Sequence, residues 1–364
     1  MSFSEADVQG AMKNLIDPNT RKDFVSGKSV KNIKISGNDV SLDIMLGYPA
    51  KSVWDEIRAL VEAHLKAALP GAGQVSANVG SKVVQHAVQQ GAKLVDGVKN
   101  IIVVASGKGG VGKSTTAVNI ALALAAEGAR VGMLDADIYG PSQPTMLGIT
   151  GQPETTEDNF LKPITNHGLQ AMSIGFLVAS EDTPMIWRGP MVTQALDQLL
   201  RQTRWDNLDY LIMDLPPGTG DIQLSLAQQA PVTGAVIVTT PQDIALMDAR
   251  KGLKMFEKVG VKIIGIVENM STHICTQCGH EEHIFGAGGG EKMCADYHTE
   301  FLGGLPLDIR IREQADSGQP TVVSEPDGNI AKVYKQIARR IAVKVAEMAQ
   351  SHTTVFPKVV VQNT

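Results

Sequence analysis

In residues 1–87 the spacing of apolar positions alternates between the period of a helix and the period of a strand, and each stretch is short. The first helix should end at Asp17-Pro18, because proline cannot continue a helix, and its apolar positions are Val8, Met12, Leu15 and Ile16. Two stretches of alternating polarity, 30–35 and 40–46, are separated by a Gly-Asn-Asp turn and predict a hairpin. A helix over 51–68 and a strand over 75–79 follow. This pattern predicts a small α+β domain.

From residue 99 the pattern changes to short apolar runs that alternate with helical segments. Such runs predict parallel strands that are buried on both faces by helices. We place the strands at 101–105, 130–134, 169–174, 210–214, 235–239, 263–267 and 302–305. A last helix over 329–349 carries one apolar stripe, which we expect to dock on the sheet rather than on a membrane surface.

These patterns divide the chain into four segments. The small α+β domain covers 1–87, and a polar, glycine-interrupted linker covers 88–98. An α/β domain covers 99–350 and a C-terminal tail covers 351–364. The predicted fold class is α/β, with a mostly parallel sheet and helices on both of its faces, preceded by the small domain.

Composition excludes several classes of protein. Hydrophobic residues make up 43% of the chain and charged residues 20%, which is typical of a folded globular protein. The net charge of −5 and the lack of a long basic run argue against a nucleic-acid partner. No apolar run approaches the roughly 20 residues that span a bilayer, and the first residues do not resemble a leader, so we expect a cytoplasmic protein without membrane contact. Three cysteines, two of them in a C-x-x-C pattern, favour metal ligation over disulfides.

The segment GKGGVGKS matches the phosphate-binding pattern G-x-x-x-x-G-K-[ST] and lies between an apolar strand and a helix, which is the setting this motif requires. Its glycines let backbone N–H groups surround phosphate oxygens at a helix N-terminus. We expect Lys113 to reach the β and γ phosphates of ATP and Ser114 to ligate Mg²⁺. The predicted nucleotide-binding residues are Gly107, Lys108, Gly109, Gly110, Val111, Gly112, Lys113, Ser114 and Thr115.

Carboxylates end two of the predicted strands, where open α/β sheets place their ligands. At least one of Asp135 and Asp137 should face Mg²⁺ or the attacking water, since two buried carboxylates are costly; a cap or turn role is the alternative. Asp214 ends an apolar strand as a Walker B aspartate does and should hold Mg²⁺ through water.

Two further positions follow strand ends. Gly218 can offer its N–H to the γ phosphate and release it after hydrolysis, which would make this turn a switch. Asn269 offers a side-chain amide to an adenine edge, and a turn-forming asparagine is the alternative.

The pair Cys275 and Cys278 has three interpretations: half of a zinc site completed by His280 or His283, a redox dithiol, or half of an iron–sulfur site. The pair does not open the helix of a thioredoxin-like unit, which disfavours the dithiol. A [4Fe–4S] cluster needs four thiolates, so two chains related by a two-fold axis would each supply two. Cys294 is expected to be a partly buried residue, with assistance to the metal as the alternative.

Lys108 follows the first glycine of the phosphate-binding loop, and GKGGVGKS resembles the variant P-loop of the family that includes MinD, ParA and nitrogenase iron protein. The resemblance implies a P-loop NTPase in which Lys108 reaches the nucleotide of the other subunit and supplies charge as an arginine finger does. It also implies that Asp137 positions the attacking water, with Asp135 near the metal, and it supports Asn269 at the adenine.

Residues 99–350 resemble, more specifically, the Mrp/ApbC family of iron–sulfur cluster carriers. The matching segments are GKGGVGKS, LDADIYGPS, WRGPM at 187–191, DLPPGTGD, and CxxCGH with the following FGxGGG. Residues 5–87 resemble the small domain of some bacterial members and of other cluster-assembly factors. Trp187 and Arg188 belong to this match and receive no role.

The resemblance implies a cytoplasmic, homodimeric ATPase that holds a [4Fe–4S] cluster on Cys275 and Cys278 of paired subunits. The cluster would pass to apo iron–sulfur proteins, with cluster scaffold proteins as further partners. The implied catalytic residues are Lys108, Lys113, Asp137 and Asp214, and the implied magnesium ligands are Ser114, Asp135 and Asp214. The alternative is a ParA/MinD-like positioning ATPase with a structural zinc at the cysteine pair.

Overall fold

The computed structural model describes residues 3–86, 93–177, 189–275 and 277–353. The chain divides into two compact units, one made of residues 1–84 with 126–128 and the other of residues 85–125 with 129–364. Trp187, Arg188 and the tail beyond residue 353 lie outside the described residues. Within the described ranges, every helix is too short or too polar to span a lipid bilayer.

The first unit is a three-stranded sheet covered by two helices. The elements in chain order are α1 (Glu5–Met12), β1 (Val30–Ser36), β2 (Asp39–Leu46), α2 (Trp54–Ala68) and β3 (Val75–Ser81). Strand β1 pairs antiparallel with β2, and β2 pairs parallel with β3. Strand β2 alternates buried and more exposed positions, and its buried side chains lie on the core side with those of α2; the buried residues are Val40, Leu42, Ile44, Leu46, Ile57, Val61 and Leu65.

Helix α1 is shorter than the apolar spacing predicts. It begins at a capping box, in which Ser4 and Asp7 exchange side-chain to backbone hydrogen bonds. It ends at Met12, because the chain then forms a loop in which the Asp17 carboxylate accepts from Asn19 N at 2.9 Å. The predicted helical position Ile16 is 51% exposed and belongs to this loop. The prediction of a helix reaching Ile16 is therefore wrong.

The second unit is built around one large sheet. Its strands are β4 (Ile101–Ala105), β5 (Val131–Asp135), β6 (Ile164–Asn166), β7 (Leu169–Ser173), β8 (Tyr210–Asp214), β9 (Gly234–Thr239), β10 (Ile263–Ile274), β11 (Glu281–Glu282) and β12 (Phe301–Pro306). Its helices are α3 (Lys113–Ala126), α4 (Gln143–Met146), α5 (Gly189–Arg201), α6 (Asp221–Gln229), α7 (Asp243–Lys258), α8 (Gly289–Asp296), α9 (Ile309–Asp316), α10 (Thr321–Ser324) and α11 (Asn329–Thr353).

The sheet runs in the order β11-β10-β9-β4-β8-β5-β7-β6, with β12 also paired to β10. All neighbours are parallel except β6 with β7 and β10 with β11. Every residue of the central strands β4, β5, β8 and β9 is buried, as expected for a sheet with helices on both faces. This arrangement confirms the predicted fold class. The carboxyl ends of β4, β5 and β8 meet at one edge, where ligands of such sheets bind.

Part of the predicted linker packs as part of the second unit. Val95 and Val98 are buried, and Leu208 N donates to Gly97 O at 2.6 Å. The first part of that linker, residues 88–92, lies outside the described residues. The domain boundaries given above stay a prediction.

Candidate functional site

The phosphate-binding loop connects β4 to α3 and depends on glycine at defined positions. A Cβ on Gly107 would lie 2.1 Å from the carbonyl carbon of Asp248, so only glycine lets the loop approach α7 this closely. Gly110 and Gly112 have φ angles of +81° and +80°, a left-handed conformation that side chains other than glycine rarely adopt. The loop then leads directly into the first turn of α3, so its N–H groups belong to a helix N-terminus.

Lys113 is the first residue of α3, and its side chain is only 6% exposed. Its ammonium group forms an ion pair with the fully buried Asp214 carboxylate and also donates to Ser114 Oγ at 3.1 Å. The loop lysine, the helix hydroxyl and the Walker B carboxylate that the sequence predicts are therefore in direct contact.

Asp135 and Asp214 are aligned on the neighbouring strands β5 and β8. The Asp135 carboxylate accepts from Gln143 N at 3.0 Å, from Asp137 N at 3.2 Å and from Ser173 Oγ at 3.2 Å. Burial, and secondly the charge of Asp214, raise the pKa of Asp135 to about 7.

Asp137 lies just beyond β5 and is 9% exposed. Burial raises its pKa, while the Lys113 ammonium acts in the opposite direction. The site thus brings three carboxylates close to one buried ammonium group, an arrangement that can attract a cation.

Asn269 lies in β10 and ties this strand to the loop. Its Nδ2 donates to Val111 O at 2.9 Å, and a Cβ on Gly112 would lie 2.2 Å from Nδ2. The amide nitrogen is thus committed to the loop backbone, and the predicted contact with adenine stays a prediction. The next residue, Met270, has a φ of +56°, and the register between β10 and β12 shifts between Glu268 and Thr272.

Lys108 is half-buried in the loop, and no described residue of its own chain forms a hydrogen bond or ion pair with its ammonium group. Its backbone carbonyl accepts from Ser106 Oγ at 2.9 Å. The Gly218 N–H donates to Ser106 O at 2.9 Å, and Gly218 has a φ of +104°. The turn after β8 is therefore fastened to the phosphate-binding loop by a backbone hydrogen bond.

The cysteine pair lies at the tip of a hairpin formed by β10 and β11. We call residues 273–275 and 277–282 the cysteine hairpin. Cys275 N donates to His280 O at 2.9 Å, and Gly279 N donates to Cys275 O at 2.8 Å, which closes a tight turn with Gly279 at a φ of +72°. Cys275 is half-buried and Cys278 is exposed, so both thiols are reachable from outside the chain.

Hydrogen bonds set the acidity of one of these thiols. The N–H groups of Cys278 and Gln277, and then the Cys278 thiol, lower the pKa of Cys275. A lowered pKa favours the thiolate, which is the form that binds metals. Cys294, in contrast, is buried in α8, and burial raises its pKa to about 12.

The histidines considered for a zinc site do not complete one. Within the described ranges no group of three or more His, Cys, Asp and Glu side chains is placed to hold a metal ion, and His283 Nδ1 instead lies 2.8 Å from Ser271 O. Cys294 was predicted to be partly buried, and at 5% exposure it is buried almost completely.

Sequence reasoning missed Gln143 in this site, and it also missed the buried Glu268, which lies in β10 next to Asn269. Gln143 is 1% exposed and contacts both strand-end carboxylates, while Glu268 accepts from Gly290 N at 2.6 Å at the start of α8. Gln143 follows LDADIYGPS directly, but its long-range contacts leave no local signal. A carboxylate or amide directly after a predicted strand was the signal for Asp135, Asp214 and Asn269, and it would also have found Glu268.

Comparisons with known proteins fit this geometry. The model of the family described as NUBPL iron-transfer P-loop NTPase matches residues 97–342, and that described as iron–sulfur cluster assembly protein matches residues 5–79. The chain is 49% identical to the iron–sulfur cluster carrier protein of Escherichia coli (strain K12) over 341 residues, 93% of this chain and 92% of the relative. It is 54% identical to the iron–sulfur cluster transfer protein NUBPL of Mus musculus over 251 residues, 68% of this chain and 78% of the relative.

A solved structure shares the second unit's fold. The nucleotide-binding protein of Archaeoglobus fulgidus in complex with ADP superposes with a TM-score of 0.56 at 36% identity. The match covers 64% of this chain and 91% of that protein.

Proposed function

The chain belongs to the family of NUBPL iron-transfer P-loop NTPases and is an ATPase that carries iron–sulfur clusters; from this premise we propose that its cargo is one [4Fe–4S] cluster held by Cys275 and Cys278 of two subunits. One observation carries the proposal: the cysteine hairpin presents two reachable thiols, and no third ligand stands beside them among the described residues.

Ligand number supports a shared cluster. A [4Fe–4S] cluster takes four thiolates, and one cysteine hairpin supplies two. A two-fold axis beside the hairpin would bring a second pair to the same cluster, so a symmetric dimer completes the ligand set without a further residue. The alternative, a positioning ATPase with a structural zinc, lacks support, because such a zinc takes four ligands from one chain.

The nucleotide site supports a magnesium–ATP complex. Ser114 offers a hydroxyl and Asp135 and Asp214 offer carboxylates, which are the hard oxygen ligands that Mg²⁺ prefers. Both carboxylates are fully buried on adjacent strands, and the single Lys113 ammonium pairs with Asp214, so a further cation would stabilise the second negative charge. When bound, Mg²⁺ would neutralise charge on the phosphates of ATP.

The remaining roles follow from position. The N–H groups of the phosphate-binding loop and the Lys113 ammonium would bind the phosphates, and Asp137 would orient the attacking water. Lys108 would act on the nucleotide of the partner subunit, which is consistent with an ammonium group that has no partner among the described residues of its own chain. Two chains would then be needed both for hydrolysis and for cluster binding.

Strand β10 offers a route between the two sites. Asn269 contacts the phosphate-binding loop, and Cys275 follows six residues later in the same strand and its turn, about 20 Å along an extended chain. We expect a conformational change of the phosphate-binding loop, on nucleotide binding or hydrolysis, to shift the position of the cysteine hairpin through β10. This coupling would let the ATPase cycle change how firmly the cluster is held.

The recipients would be apo iron–sulfur proteins, with scaffold proteins as donors. The first unit overlaps the match to the iron–sulfur cluster assembly family, so we propose that residues 1–87 form the domain that contacts other members of this machinery.

Anaerobic reconstitution with iron and sulfide tests the proposal. The wild-type chain should bind about two iron ions and two sulfide ions per chain. Cys278→Ala and Cys275→Ala should lose the cluster and keep ADP binding, whereas the matched control Cys294→Ala should keep both. A cluster that survives in Cys278→Ala, or one zinc per chain without iron, would show that the assignment is wrong.

A further inference from the structure

A buried amide joins the proposed magnesium ligands to one another. Gln143 opens α4 and is 1% exposed. Its Nε2 donates to Asp214 Oδ2 at 2.9 Å and to Ser114 O at 3.2 Å, and its backbone N–H donates to Asp135 Oδ2 at 3.0 Å. One residue therefore touches each of the three residues proposed to hold the ion.

The orientation of this amide is fixed by its neighbours. Both groups beside Nε2 are acceptors, a carboxylate and a backbone carbonyl, so exchanging the amide oxygen and nitrogen would place acceptor against acceptor. Oε1 therefore takes the other branch of the amide, and it is fully buried without a hydrogen-bond partner among the described residues. A buried acceptor without a partner is unusual and calls for a ligand that supplies a donor.

We propose that Gln143 is a positioning residue for Mg²⁺ in the ATPase site. Its Nε2 holds the Asp214 carboxylate and the Ser114 backbone in place, and its Oε1 accepts a hydrogen bond from water in the hydration shell of the ion. Mg²⁺ keeps several of its waters when it binds to proteins, so a donor of this kind accompanies it. The inference rests on the magnesium–ATP site proposed above.

Gln143 also lies on the segment that follows Asp137, the residue proposed to orient the attacking water. Through its hydrogen bonds to Asp214 and Ser114, the amide connects the position of this segment to the positions of the proposed magnesium ligands. Loss of the amide should weaken the response to Mg²⁺ and leave the phosphate-binding loop itself intact.

Calorimetric titration of ADP with and without Mg²⁺ tests the role, with Gln143→Leu as the variant. Without Mg²⁺ and with a chelator present, we expect ADP affinity within about twofold of wild type, because the Gln143 amide contacts a carbonyl and a carboxylate and none of the N–H groups expected to bind phosphate. With Mg²⁺, the strengthening of ADP binding seen in wild type should fall by roughly tenfold, the effect of losing one hydrogen bond to a charged group.

Gln170→Leu is the matched control. Gln170 lies in β7, and its amide exchanges hydrogen bonds with the backbone of Asp206 at 3.1 and 2.9 Å, outside the site. This variant loses a glutamine side chain from the sheet that carries Asp135 and Asp214, and it should keep the full response to Mg²⁺.

Gln143→Glu keeps an acceptor at the same place and adds a negative charge beside Asp135 and Asp214. Its melting temperature without metal should fall, and the rise on adding Mg²⁺ and ADP together should exceed that of wild type. Gln143→Leu should show the smallest rise of the three. A purely structural role predicts equal rises for all three chains, and that result would overturn the inference.

The two proposals fail in different ways. If the wild-type chain binds ADP no more tightly with Mg²⁺ than without it, the magnesium–ATP site itself is wrong. If wild type responds to Mg²⁺ and Gln143→Leu responds equally, only the role of Gln143 is wrong. Both tests measure ADP affinity, so neither result depends on how much iron–sulfur cluster the chain holds.

Discussion

At the scale of single residues, the nucleotide site holds several charged side chains in buried positions, where loss of hydration raises the free energy of a charged group. The Lys113 ammonium and the Asp214 carboxylate are 6% and 0% exposed, and a buried ion pair of this kind gains little net stability because both groups lose hydration. Under the proposed function the pair has a second use, because it keeps an ammonium and a carboxylate where a phosphate and a magnesium ion would bind.

The Lys108 side chain is expected to act in catalysis on the nucleotide of the partner subunit. It should add little to the nucleotide affinity of its own chain. Lys108→Ala should lower the rate constant for ATP hydrolysis by at least ~100-fold, as loss of an arginine finger does, and leave ADP affinity within about threefold of wild type. Phosphate release and calorimetry measure the two quantities. The control is Lys162→Ala, which removes a lysine that is 67% exposed and paired with Glu154. Unchanged turnover in Lys108→Ala would exclude the cross-subunit role.

Cys275 and Cys294 should differ in reactivity when no metal is bound. Alkylation proceeds through the thiolate, so its rate rises with pH and levels off above the pKa of the thiol. The lowered pKa of Cys275 predicts that its alkylation levels off at a lower pH than that of an unperturbed cysteine. The pKa of about 12 predicts that Cys294 stays unmodified in the folded chain.

Mass spectrometry of peptides after timed alkylation between about pH 6 and 9 follows these two thiols separately. Denatured protein is the control, in which both cysteines should react alike. Equal rates for Cys275 and Cys294 in the folded chain would contradict this description of the two environments.

At the scale of elements, the close approach of the phosphate-binding loop to α7 fixes the position of the loop. The Cβ of an alanine at position 107 would lie 2.1 Å from the carbonyl carbon and 2.2 Å from the carbonyl oxygen of Asp248, and neither backbone atom can move without shifting α7. At Gly109 a Cβ meets no atom within 4 Å, and its φ lies outside the left-handed region.

Gly107→Ala is therefore expected to destabilise the chain where Gly109→Ala does not. Overpacking against backbone costs about 2–3 kcal/mol, which corresponds to a drop of roughly 5–10 °C in melting temperature for a domain of this size. Gly109→Ala should stay within about 2 °C of wild type. Thermal unfolding without nucleotide measures both variants. Equal melting temperatures would mean that the loop does not rest on α7.

Most strands of the second unit were predictable because they are buried apolar runs bounded by polar turns. Strand β8 was predicted to the residue, and β5 is displaced by one residue. Strand β10 continues to Ile274 instead of ending near 267. The prediction stopped short because the apolar run is interrupted by the polar Glu268 and Asn269, which are nevertheless buried, and the strand is only partly buried or exposed from Met270 onward. Strands β6 and β11 have three and two residues and are too short to form a pattern.

The residues of the candidate site were predictable where a motif fixes both the residue types and the structural elements that flank them. The phosphate-binding loop, the two strand-end carboxylates and the cysteine pair each occupy a few consecutive positions. Gln143 was not predictable, because its contacts to Ser114 and Asp214 span 29 and 71 residues and exist only after the sheet has formed.

At the scale of the whole molecule, two features of one chain, the cysteine hairpin and Lys108, each lack partners within that chain for the roles proposed for them. The cysteine hairpin offers two thiols, half of what the proposed [4Fe–4S] cluster needs, and Lys108 has no partner among the described residues of its chain. A symmetric dimer would supply what is missing at both places. The central claim is therefore that the cluster and the paired subunits belong to one assembly.

Native mass spectrometry of the anaerobically reconstituted chain tests this claim most directly, because one spectrum gives both the number of chains and the mass of bound iron and sulfide. We expect a species of two chains with one [4Fe–4S] cluster, and Cys278→Ala should give no cluster-bearing species. A cluster or a zinc ion retained by single chains would contradict it.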